Sequence, residues 1–405
     1  MSDSQTHTWV RWDTKFPWLG TAPVSIEPYV SPEYYAKERR AVFGRMWLQV
    51  CRVDDVPKPG EYFVRDLAVL DTSVLIVRGT DGVVRGFHNV CQHKANRVAL
   101  SERGSCRALN CRFHGWTYGL DGRLVGVPDE QGFSEPVKKG ARGLRAVATD
   151  TWEGFVFVNL DPNPRETLKE FLGEFAQCLE GYPFSKLSMH FKHQAEVHCN
   201  WKILVDAFQD GYHLRSQHRY SLAEMFMGDP SKSFAEIKFF KRHRFLSSNG
   251  NPKFTPFPTM MLAFMHGGYF SPEIFPPDWM PPGVNPTRSP EWATDINVFF
   301  PNMFIQLIAP GWYFVYTIWP LAVDRCLWEA RIYSAPPANA AQRFAREYIM
   351  ITVRDSILED LSTCENVQAN LKSGAIDSFP LHEGELFARH LLKVVDECIQ
   401  EEERR

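Results

Sequence analysis

Residues 91–114 read CQHKANRVALSERGSCRALNCRFH and place two of their three cysteines and both of their histidines in two short pairs. Cys91 and His93 form the first pair, and seventeen residues separate it from the second pair, Cys111 and His114. Thiolates and imidazoles are the ligands of zinc and of iron–sulfur clusters. The stretch therefore predicts a metal site built from two loops that meet in space.

The order of these ligands favours an iron–sulfur cluster over zinc. Familiar zinc spacings place Cys-x-x-Cys and His-x-x-x-His on separate elements, whereas here each loop carries one cysteine and one histidine. In a Rieske cluster two cysteines hold one iron and two histidines hold the other, so that each loop reaches both irons. A zinc site, or two loops whose cysteines and histidines only pack, are the alternatives.

The chain around these loops has the pattern of short strands. The turn pairs Asp81-Gly82 and Asp121-Gly122 indicate hairpins, and Pro162 and Pro164 end the regular pattern. β-branched and aromatic residues dominate the segments 72–78, 83–90 and 155–160. We predict a small all-β domain over residues 41–161, with residues 1–40 as an N-terminal segment packed on the remainder of the chain.

After residue 161 the pattern becomes mixed. Helical periodicity occurs at residues 168–179, 201–212 and 386–399, and strand-like runs at 296–300, 313–319 and 327–334. Residues 254–290 are rich in proline, phenylalanine and methionine without a clear period, which predicts loops that form a lid or pocket wall. Residues 162–405 are thus predicted to form a larger domain of antiparallel sheet and helices, and the fold class is α+β.

Composition limits the partners and the compartment. The 405 residues carry 45 Lys and Arg against 48 Asp and Glu, a formal charge of −3, which gives no electrostatic reason to expect nucleic acid or an anionic membrane. No apolar run is long enough to span a membrane, and residues 1–20 lack the pattern of a secretory signal. We expect a soluble, cytoplasmic protein, and nine cysteines at low density do not indicate a disulfide framework.

A second group of ligand-type residues lies in residues 200–218, NWKILVDAFQDGYHLRSQH. On a continuous helix Asp206, Asp210 and His213 fall within an arc of about 60°. His218 lies about 140° from His213 on such a helix, so joint metal ligation requires the helix to break between them. A solvated polar helix face is the alternative interpretation.

A 2-His-1-carboxylate site needs one further carboxylate. The acidic residues of segment 354–368 are Asp355, Glu359, Asp360 and Glu365. Only Asp360 falls within the apolar stripe of that helix, where an unpaired carboxylate would be costly. A metal or a buried salt bridge would compensate its charge.

These motifs resemble a known family. Cys-x-His followed by Cys-x-x-His-Gly-Trp, the run from Asp210 through Tyr212 and His213 to His218, and Glu359-Asp360 before residues 364–368 are similar to motifs of the Rieske non-haem iron aromatic-ring-hydroxylating oxygenases, large (alpha) subunit. Segments 57–62 and 152–155 also resemble that family. The resemblance covers nearly the whole chain and implies a helix-grip-like catalytic domain.

The resemblance implies two cofactors and their ligands. The expected ligands are Cys91, His93, Cys111 and His114 for a [2Fe-2S] Rieske cluster, and His213, His218 and Asp360 for a mononuclear Fe(II). Asp210 matches the carboxylate that bridges this iron to a cluster histidine of the neighbouring subunit, His93 or His114, of which we favour His114. The resemblance thus implies a homotrimer, with or without a beta subunit.

The implied function is that of the terminal oxygenase in a multicomponent system. It uses O2 and electrons from NAD(P)H, delivered by a separate flavin reductase with or without a ferredoxin, because the chain has no G-x-G-x-x-G fingerprint. The expected reaction is hydroxylation or dihydroxylation of an aromatic or other apolar substrate, as in aromatic hydrocarbon catabolism.

Three alternative functions remain. The first is a monooxygenase or demethylase for a quaternary ammonium or methoxy compound, because residues 364–368 also resemble choline monooxygenase-like members. Such members often carry Glu where this chain has Asp210, which favours the aromatic reading. The others are a Rieske electron-transfer protein without oxygenase activity and a zinc-stabilised binding protein.

Some positions depart from the family or carry little signal. Lys94-Ala95 stands where Arg-Gly is usual, and Asp206-Ala207 stands where many members have Glu-Asn. The residues between 225 and 316 show no diagnostic pattern for substrate binding. The expected pocket residues are Phe208, Met225, Met227, Met261, Phe264 and Phe299.

Overall fold

A computed structural model describes residues 11–226, 233–266, 280–309 and 311–405 of the chain. The chain divides into two compact units, one formed by residues 39–171 and the other by residues 1–38 together with 172–405. The sequence predicted boundaries at residues 40–41 and 161–162, whereas the compact units divide at residues 38–39 and 171–172. None of the helices in the described ranges is long and apolar enough to cross a membrane.

The N-terminal residues belong to the larger unit. Their elements are α1 (Trp12–Lys15), β1 (Val24–Ser25), α2 (Glu27–Val30) and α3 (Pro32–Glu38). Tyr29 is buried, and Ser25 pairs with Ser378 in a two-stranded antiparallel sheet. Glu38 and Lys202 form an ion pair in which both side chains are fully buried. These contacts fix the segment against the helix that begins at Trp201.

The unit of residues 39–171 is built almost entirely of short strands. They are β2 (Leu48–Arg52), β3 (Glu61–Leu67), β4 (Thr72–Arg78), β5 (Val84–His88), β6 (Arg103–Ser105), β7 (Leu109–Asn110), β8 (Thr117–Tyr118), β9 (Leu124–Gly126), β10 (Ala146–Trp152) and β11 (Phe155–Asn159). Seven of them form an antiparallel sheet in the order β2-β11-β10-β5-β4-β3-β6, and β7, β8 and β9 form a second sheet. The β-branched run of β4 is buried throughout its centre, as its composition predicts.

The larger unit contains a second seven-stranded antiparallel sheet. Its strands are β12 (Met189–Val197), β13 (Phe234–Phe239), β14 (Arg244–Asn249), β15 (Trp292–Phe299), β16 (Met303–Ala309), β17 (Trp312–Ala322) and β18 (Arg325–Ser334), in the order β12-β18-β17-β16-β15-β14-β13. A short β19 (Ser378–Phe379) pairs with β1. The α+β prediction of an all-β domain followed by an antiparallel sheet with helices is confirmed.

Seven further helices belong to the described chain. They are α4 (Leu168–Leu172), α5 (Trp201–Ala207), α6 (Leu214–Gln217), α7 (Ala223–Phe226), α8 (Pro258–His266), α9 (Ala340–Leu371) and α10 (Leu386–Glu403). Residues 39–43 form a π-helical turn, and short 3-10 helices occur at Pro17–Leu19, Val53–Asp55, Ala68–Leu70, Glu130–Gly132, Lys139–Ala141, Gly173–Leu179, Phe184–Lys186 and Glu383–Glu385. Helix α9 spans 32 residues and packs on α5, α8 and β12, which brings its middle towards the residues that follow α5.

The prediction of loops over residues 254–290 was partly wrong, because α8 begins at Pro258. Proline is favoured in the first turn of a helix, where its missing N–H is not needed. The sequence of α8 is apolar over most of its length, so no amphipathic period marked it. Residues 267–279 lie outside the described part of the chain.

Candidate active site and metal centres

The first cysteine–histidine loop is a tight turn that follows β5. The Cys91 N–H donates to the carbonyl of Asn96 at 2.8 Å, and the Ala95 N–H donates to the carbonyl of Cys91 at 3.0 Å. Ala95 adopts the left-handed conformation with φ of 57°. Alanine pays a steric cost there that glycine does not. This explains why glycine is common at this position in the family that the motif resembles.

The second loop, between β7 and β8, repeats the same backbone pattern. The Cys111 N–H donates to the carbonyl of Trp116 at 2.9 Å, and the Gly115 N–H donates to the carbonyl of Cys111 at 2.9 Å. Gly115, with φ of 70°, is the counterpart of Ala95. A Cβ atom at Gly115 would stand 2.9 Å from Cγ of Pro128. Each loop thus presents a cysteine and a histidine from one shared backbone geometry.

The structure brings the four predicted cluster ligands together. Cys91 and Cys111 are 2% and 1% exposed, and their thiols lie within hydrogen-bond reach of each other. The rings of His93 and His114 are 4.6 Å apart, with His114 exposed and His93 half-buried. Nδ1 of His93 is buried without a hydrogen-bond partner in the described chain. Two buried thiols and two outward imidazoles with an unpartnered nitrogen fit a Rieske [2Fe-2S] cluster.

Two neighbouring side chains hold the thiols and the imidazoles in place. The Tyr118 hydroxyl accepts from the N–H of Gln92 at 2.9 Å and lies 3.2 Å from Sγ of Cys91, to which its own hydrogen can be donated. The ring of His93 stacks on Trp116 at 4.9 Å. Tyr118 and Trp116 are themselves buried, so these contacts are rigid.

The second site depends on where helix α5 ends. The predicted helix over residues 201–212 is too long, because α5 stops at Ala207. The Asp210 side chain instead accepts from the backbone N–H of Tyr212 at 2.5 Å, which is an alternative to a helical hydrogen bond. A Cβ atom at Gly211 would stand 2.9 Å from Phe234, so this turn favours a glycine.

Helix α5 ends before His213, whereas joint ligation on a continuous helix would have required a break between His213 and His218. His213 immediately precedes the single helical turn of α6, and His218 immediately follows it. His218, with φ of −98° and ψ of 22°, has left the regular helix, so the separation of about 140° on a continuous helix does not apply. Both imidazoles can therefore face the same point in space.

That point lies beside Asp360 of helix α9. Nε2 of His218 is 2.9 Å and Nε2 of His213 is 3.6 Å from Oδ1 of Asp360. One ligand-type atom from each residue lies within 4.8 Å of the others, and no other such group of three occurs in the part of the chain that the structure describes. Two imidazoles and one carboxylate are the donor set of a mononuclear non-haem iron site.

Each histidine has a carboxylate on its outer nitrogen. Nδ1 of His213 donates to Asp210 at 3.0 Å, and Nδ1 of His218 donates to Glu359 at 2.6 Å. The Ser221 hydroxyl donates to the same oxygen of Glu359 at 2.7 Å. Such carboxylates fix the orientation and tautomer of metal-binding histidines. The sequence pattern assigns no role to Glu359, although its position next to Asp360 indicates one in retrospect.

His218 titrates in an unusual environment. Burial alone would lower its pKa, but the hydrogen bonds and negative charges of Asp360 and Glu359 together raise it above the ordinary value of 6.5. Without a metal, His218 therefore keeps a proton at a higher pH than an exposed histidine. A metal ion at Nε2 must displace this proton.

Asp206 does not share a site with Asp210 and His213, although the helical wheel placed the three on one face. Its Oδ2 accepts from the hydroxyl of Tyr29 at 2.9 Å, and burial raises its pKa to about 7. The helix end at Ala207 separates it from the histidines. Asp206 thus belongs to the contacts with the N-terminal segment.

A cavity of about 450 Å³ opens beside His213, His218 and Asp360. Its wall is mainly apolar and includes Phe208, Leu214, Leu222, Met225, Phe226, Met260, Ile308, Phe314, Tyr316 and Ile349. Phe208 stacks on Tyr316 at 5.3 Å. A volume of this size is typical of a site for a small organic molecule.

Two of the expected pocket residues, Phe208 and Met225, line this cavity. The prediction that Phe299 lines the pocket was wrong, because Phe299 is 1% exposed and packs on Phe175 in the core, with ring centroids 4.6 Å apart. Met261 is 40% exposed and its neighbour Met260 lines the cavity instead, because adjacent helical residues point in different directions. Met227 and the side chain of Phe264 lie outside the described residues.

The fold and the two donor sets define a class: a Rieske protein that also carries a mononuclear metal site of the non-haem iron type. Family comparison agrees with this class. The model of the ring hydroxylating alpha subunit (catalytic domain) matches residues 184–401, and the model of the Rieske [2Fe-2S] domain matches residues 46–141. The first match alone covers more than half of the chain. The chain therefore belongs to the family of ring-hydroxylating alpha subunits, as the sequence motifs predicted.

Curated relatives are similar over part of their length. The glycine betaine monooxygenase oxygenase subunit of Chromohalobacter salexigens is 32% identical over 190 residues, 47% of this chain and 42% of the relative. The 2-aminobenzenesulfonate 2,3-dioxygenase subunit alpha of Alcaligenes sp. is 31% identical over 189 residues, 46% of this chain and 47% of the relative. The chain thus matches these curated relatives over somewhat less than half of their length.

Solved structures share the fold over nearly the whole chain. The quaternary ammonium Rieske monooxygenase CntA, in complex with an inhibitor, has a TM-score of 0.76 at 19% identity and covers 96% of this chain and 99% of its own. Naphthalene 1,2-dioxygenase from Rhodococcus sp. has a TM-score of 0.72 at 19% identity and covers 96% of each chain. At these identities the likeness concerns the fold alone.

Proposed function

We propose that this chain is the terminal oxygenase of a multicomponent Rieske oxygenase, which hydroxylates or dihydroxylates an aromatic or other apolar small molecule. One observation carries the proposal: His213, His218 and Asp360 converge at the wall of a mainly apolar cavity, in a chain that also carries paired Cys–His loops. An electron carrier needs no second donor set beside an organic-sized cavity.

We assign Cys91, His93, Cys111 and His114 to the cluster, and His213, His218 and Asp360 to the mononuclear iron. When bound, the cluster supplies single electrons and the iron, with positions left open by three protein ligands, supplies dioxygen chemistry. The geometry of the donor atoms supports both assignments.

The protein's own part is to orient the histidines and to shape a dry cavity. Asp210 and Glu359 hold a proton on the outer nitrogens of His213 and His218, so that each Nε2 faces the metal position. The stacked rings of Phe208 and Tyr316 belong to the cavity wall and offer aromatic groups against which an aromatic ring can lie. Exclusion of water by this wall protects reactive species from side reactions.

We further propose that Asp210 links the mononuclear site to a cluster histidine of a neighbouring subunit, His114 of the partner subunit in our preferred assignment, within a homotrimer. Asp210 supports this role because it is 16% exposed and already contacts His213. The exposed ring of Tyr212 lies beside it. A beta subunit would add to the trimer without changing this link.

The proposed partners are a flavin reductase that oxidises NAD(P)H, with or without a ferredoxin, and the proposed place is the cytoplasm, in aromatic hydrocarbon catabolism. The redox partners follow from the chemistry, because the chain itself has no nucleotide-binding fingerprint.

A quaternary ammonium compound is the second candidate substrate. The aromatic side chains Phe208, Trp312, Phe314 and Tyr316 line the cavity, and aromatic faces bind quaternary ammonium groups. Glycine betaine, the substrate in the name of one relative, is such a compound. Asp210 in place of the Glu common among such proteins favours the aromatic reading.

The test is turnover with a surrogate reductase, NAD(P)H and labelled dioxygen against single-ring aromatics, naphthalene, carnitine and glycine betaine. We expect label in the product of one class, with one or two atoms that distinguish hydroxylation from dihydroxylation. His213→Ala should abolish oxygen incorporation and leave cluster reduction intact. Equal oxygen uptake by His213→Ala would favour the electron-transfer protein and contradict the proposal.

A further inference from the structure

The charged side chains around the cavity are few. Apart from the two histidines of the metal site, Arg215 is the cavity-lining residue with a positive charge within the described ranges. The acidic lining residues there are Asp210 and Asp360, and both lie against histidine nitrogens. The cavity thus offers a positive group to a ligand but no carboxylate outside the metal site.

Arg215 lies between the two histidines of the metal site in the sequence. It is a residue of α6, the helical turn with His213 at one end and His218 at the other. Its side chain is exposed, like the neighbouring Tyr212, which is 53% exposed and also lines the cavity. The deeper wall, by contrast, contains buried rings such as Phe314. Arg215 is therefore an exposed residue of the cavity lining, on the helical turn that lies between the two histidines.

The guanidinium of Arg215 is not engaged elsewhere in the described chain. Arg219, one turn further on, lies over the ring of Tyr220 at 4.6 Å, but Arg215 makes no hydrogen bond, ion pair or ring contact with any described residue. A planar fork of N–H donors binds the two oxygens of a carboxylate, or of a sulfonate, in a bidentate manner.

We propose that Arg215 binds an anionic group of the substrate, so that the proposed oxygenase acts on a small organic acid whose apolar part enters the cavity. The acid is a carboxylate or a sulfonate, since both present the oxygens that the guanidinium needs. This inference rests on the proposed function and adds the substrate class to it. The anionic group of the substrate binds to Arg215, and its apolar part lies against Phe208 and Tyr316.

Calorimetry on the anaerobically prepared holoprotein tests the proposal with isosteric pairs of ligands. The probes are benzoate against benzamide and benzenesulfonate against benzenesulfonamide, which differ in charge and hardly in shape. We expect at least one acid to bind tenfold or more tightly than its amide, because a charged hydrogen-bonded pair is worth about that factor or more. The preferred pair tells whether the group is a carboxylate or a sulfonate.

Arg215→Gln should weaken binding of that acid by tenfold or more and change binding of its amide by less than twofold. Arg215→Glu should weaken the acid further, while the matched control Arg219→Gln should leave both ligands unchanged. Because the Arg215 side chain is exposed and makes no hydrogen bond, ion pair or ring contact within the described ranges, these substitutions should not disturb folding.

Four results would overturn the proposal: amides that bind as tightly as acids, no acid binding up to about 10 mM, acid binding that survives Arg215→Gln, or an equal loss in Arg219→Gln. The third result also identifies acids that bind the metal directly. Iron content and the cluster spectrum of the same samples report on the proposed function separately. Lost metals would count against that function, whereas intact metals without acid preference would overturn only this inference.

Discussion

Glu359 is expected to control how tightly the mononuclear site holds iron. Its Oε2 accepts from Nδ1 of His218 at 2.6 Å and from the hydroxyl of Ser221 at 2.7 Å. Glu359→Gln keeps an oxygen that can accept both hydrogens but removes the charge. A charge-assisted hydrogen bond is about twice as strong as a neutral one, so we expect a loss of about 1 kcal/mol. Affinity for Fe(II) should fall by roughly fivefold to tenfold.

Glu359→Ala removes the acceptor as well, and loss of such an outer carboxylate costs about 10- to 100-fold in metal affinity. The assay is competition for Fe(II) with a chromogenic chelator under anaerobic conditions. Glu365→Gln is the matched control, because Glu365 lies on the same helix and accepts from the backbone N–H of His198 at 2.9 Å rather than from a histidine of the metal site. Unchanged iron affinity in both Glu359 variants, or an equal loss in the control, would refute the reasoning.

Three further predictions concern the two sites. Ala95→Gly should stabilise the first loop by about 0.5 to 1 kcal/mol and Gly115→Ala should destabilise the second by about 1 to 2 kcal/mol, because both positions have positive φ. The urea concentration at the midpoint for loss of cluster absorbance measures both effects. A lower midpoint for Ala95→Gly and a higher one for Gly115→Ala would contradict the loop geometry. Apparent Fe(II) affinity should fall by up to tenfold per pH unit as the pH drops through the raised pKa of His218. In the metal-free protein, the protonated His218 should add stability that is fully present below pH 6.5 and lost as the pH rises through that pKa. Iron affinity and stability that both stay constant from pH 6 to 8 would contradict the raised pKa. Tyr118→Phe removes a hydrogen bond of about 1 kcal/mol to Cys91 and should lower the cluster potential by about 40 mV in a redox titration, while a rise would show that the bond favours the oxidised state.

Much of the metal chemistry could be predicted from the sequence because it resides in short motifs. The spacing of the cysteines and histidines predicts one metal site, with Cys91, His93, Cys111 and His114 as its ligands. Asp360 could be singled out because a carboxylate in an apolar helical stripe needs compensation, and the structure places it against His213 and His218. Local pattern and long-range geometry agree in these cases.

The helix that carries the histidine motif shows where periodicity fails. Residues 201–212 keep a helical period, yet α5 ends at Ala207, since the Asp210 side chain bonds the backbone and Gly211 lies against Phe234. A hydrophobic period does not record such competition between side-chain and backbone hydrogen bonds. The periodicity therefore predicts a helix that runs five residues past its end at Ala207.

The outer contacts and the pocket wall depend on tertiary structure. Glu359 meets His218 only because α9 crosses the turn that follows α5. Phe299 and Phe208 have the same side chain, but one packs in the core and the other faces the cavity. Residue type alone cannot separate these environments, because core packing and ligand contact select the same apolar groups.

The central claim is that one chain holds a Rieske cluster and a separate mononuclear iron. Iron content and the visible and EPR spectra of the anaerobically purified protein, before and after dithionite, test it most directly, with His213→Ala beside the wild type. We expect about three irons per chain, a reduced-state signal with the low average g of a histidine-ligated cluster, and about two irons with the same signal in His213→Ala. A colourless protein that contains zinc, or an iron content that His213→Ala leaves unchanged, would contradict the account.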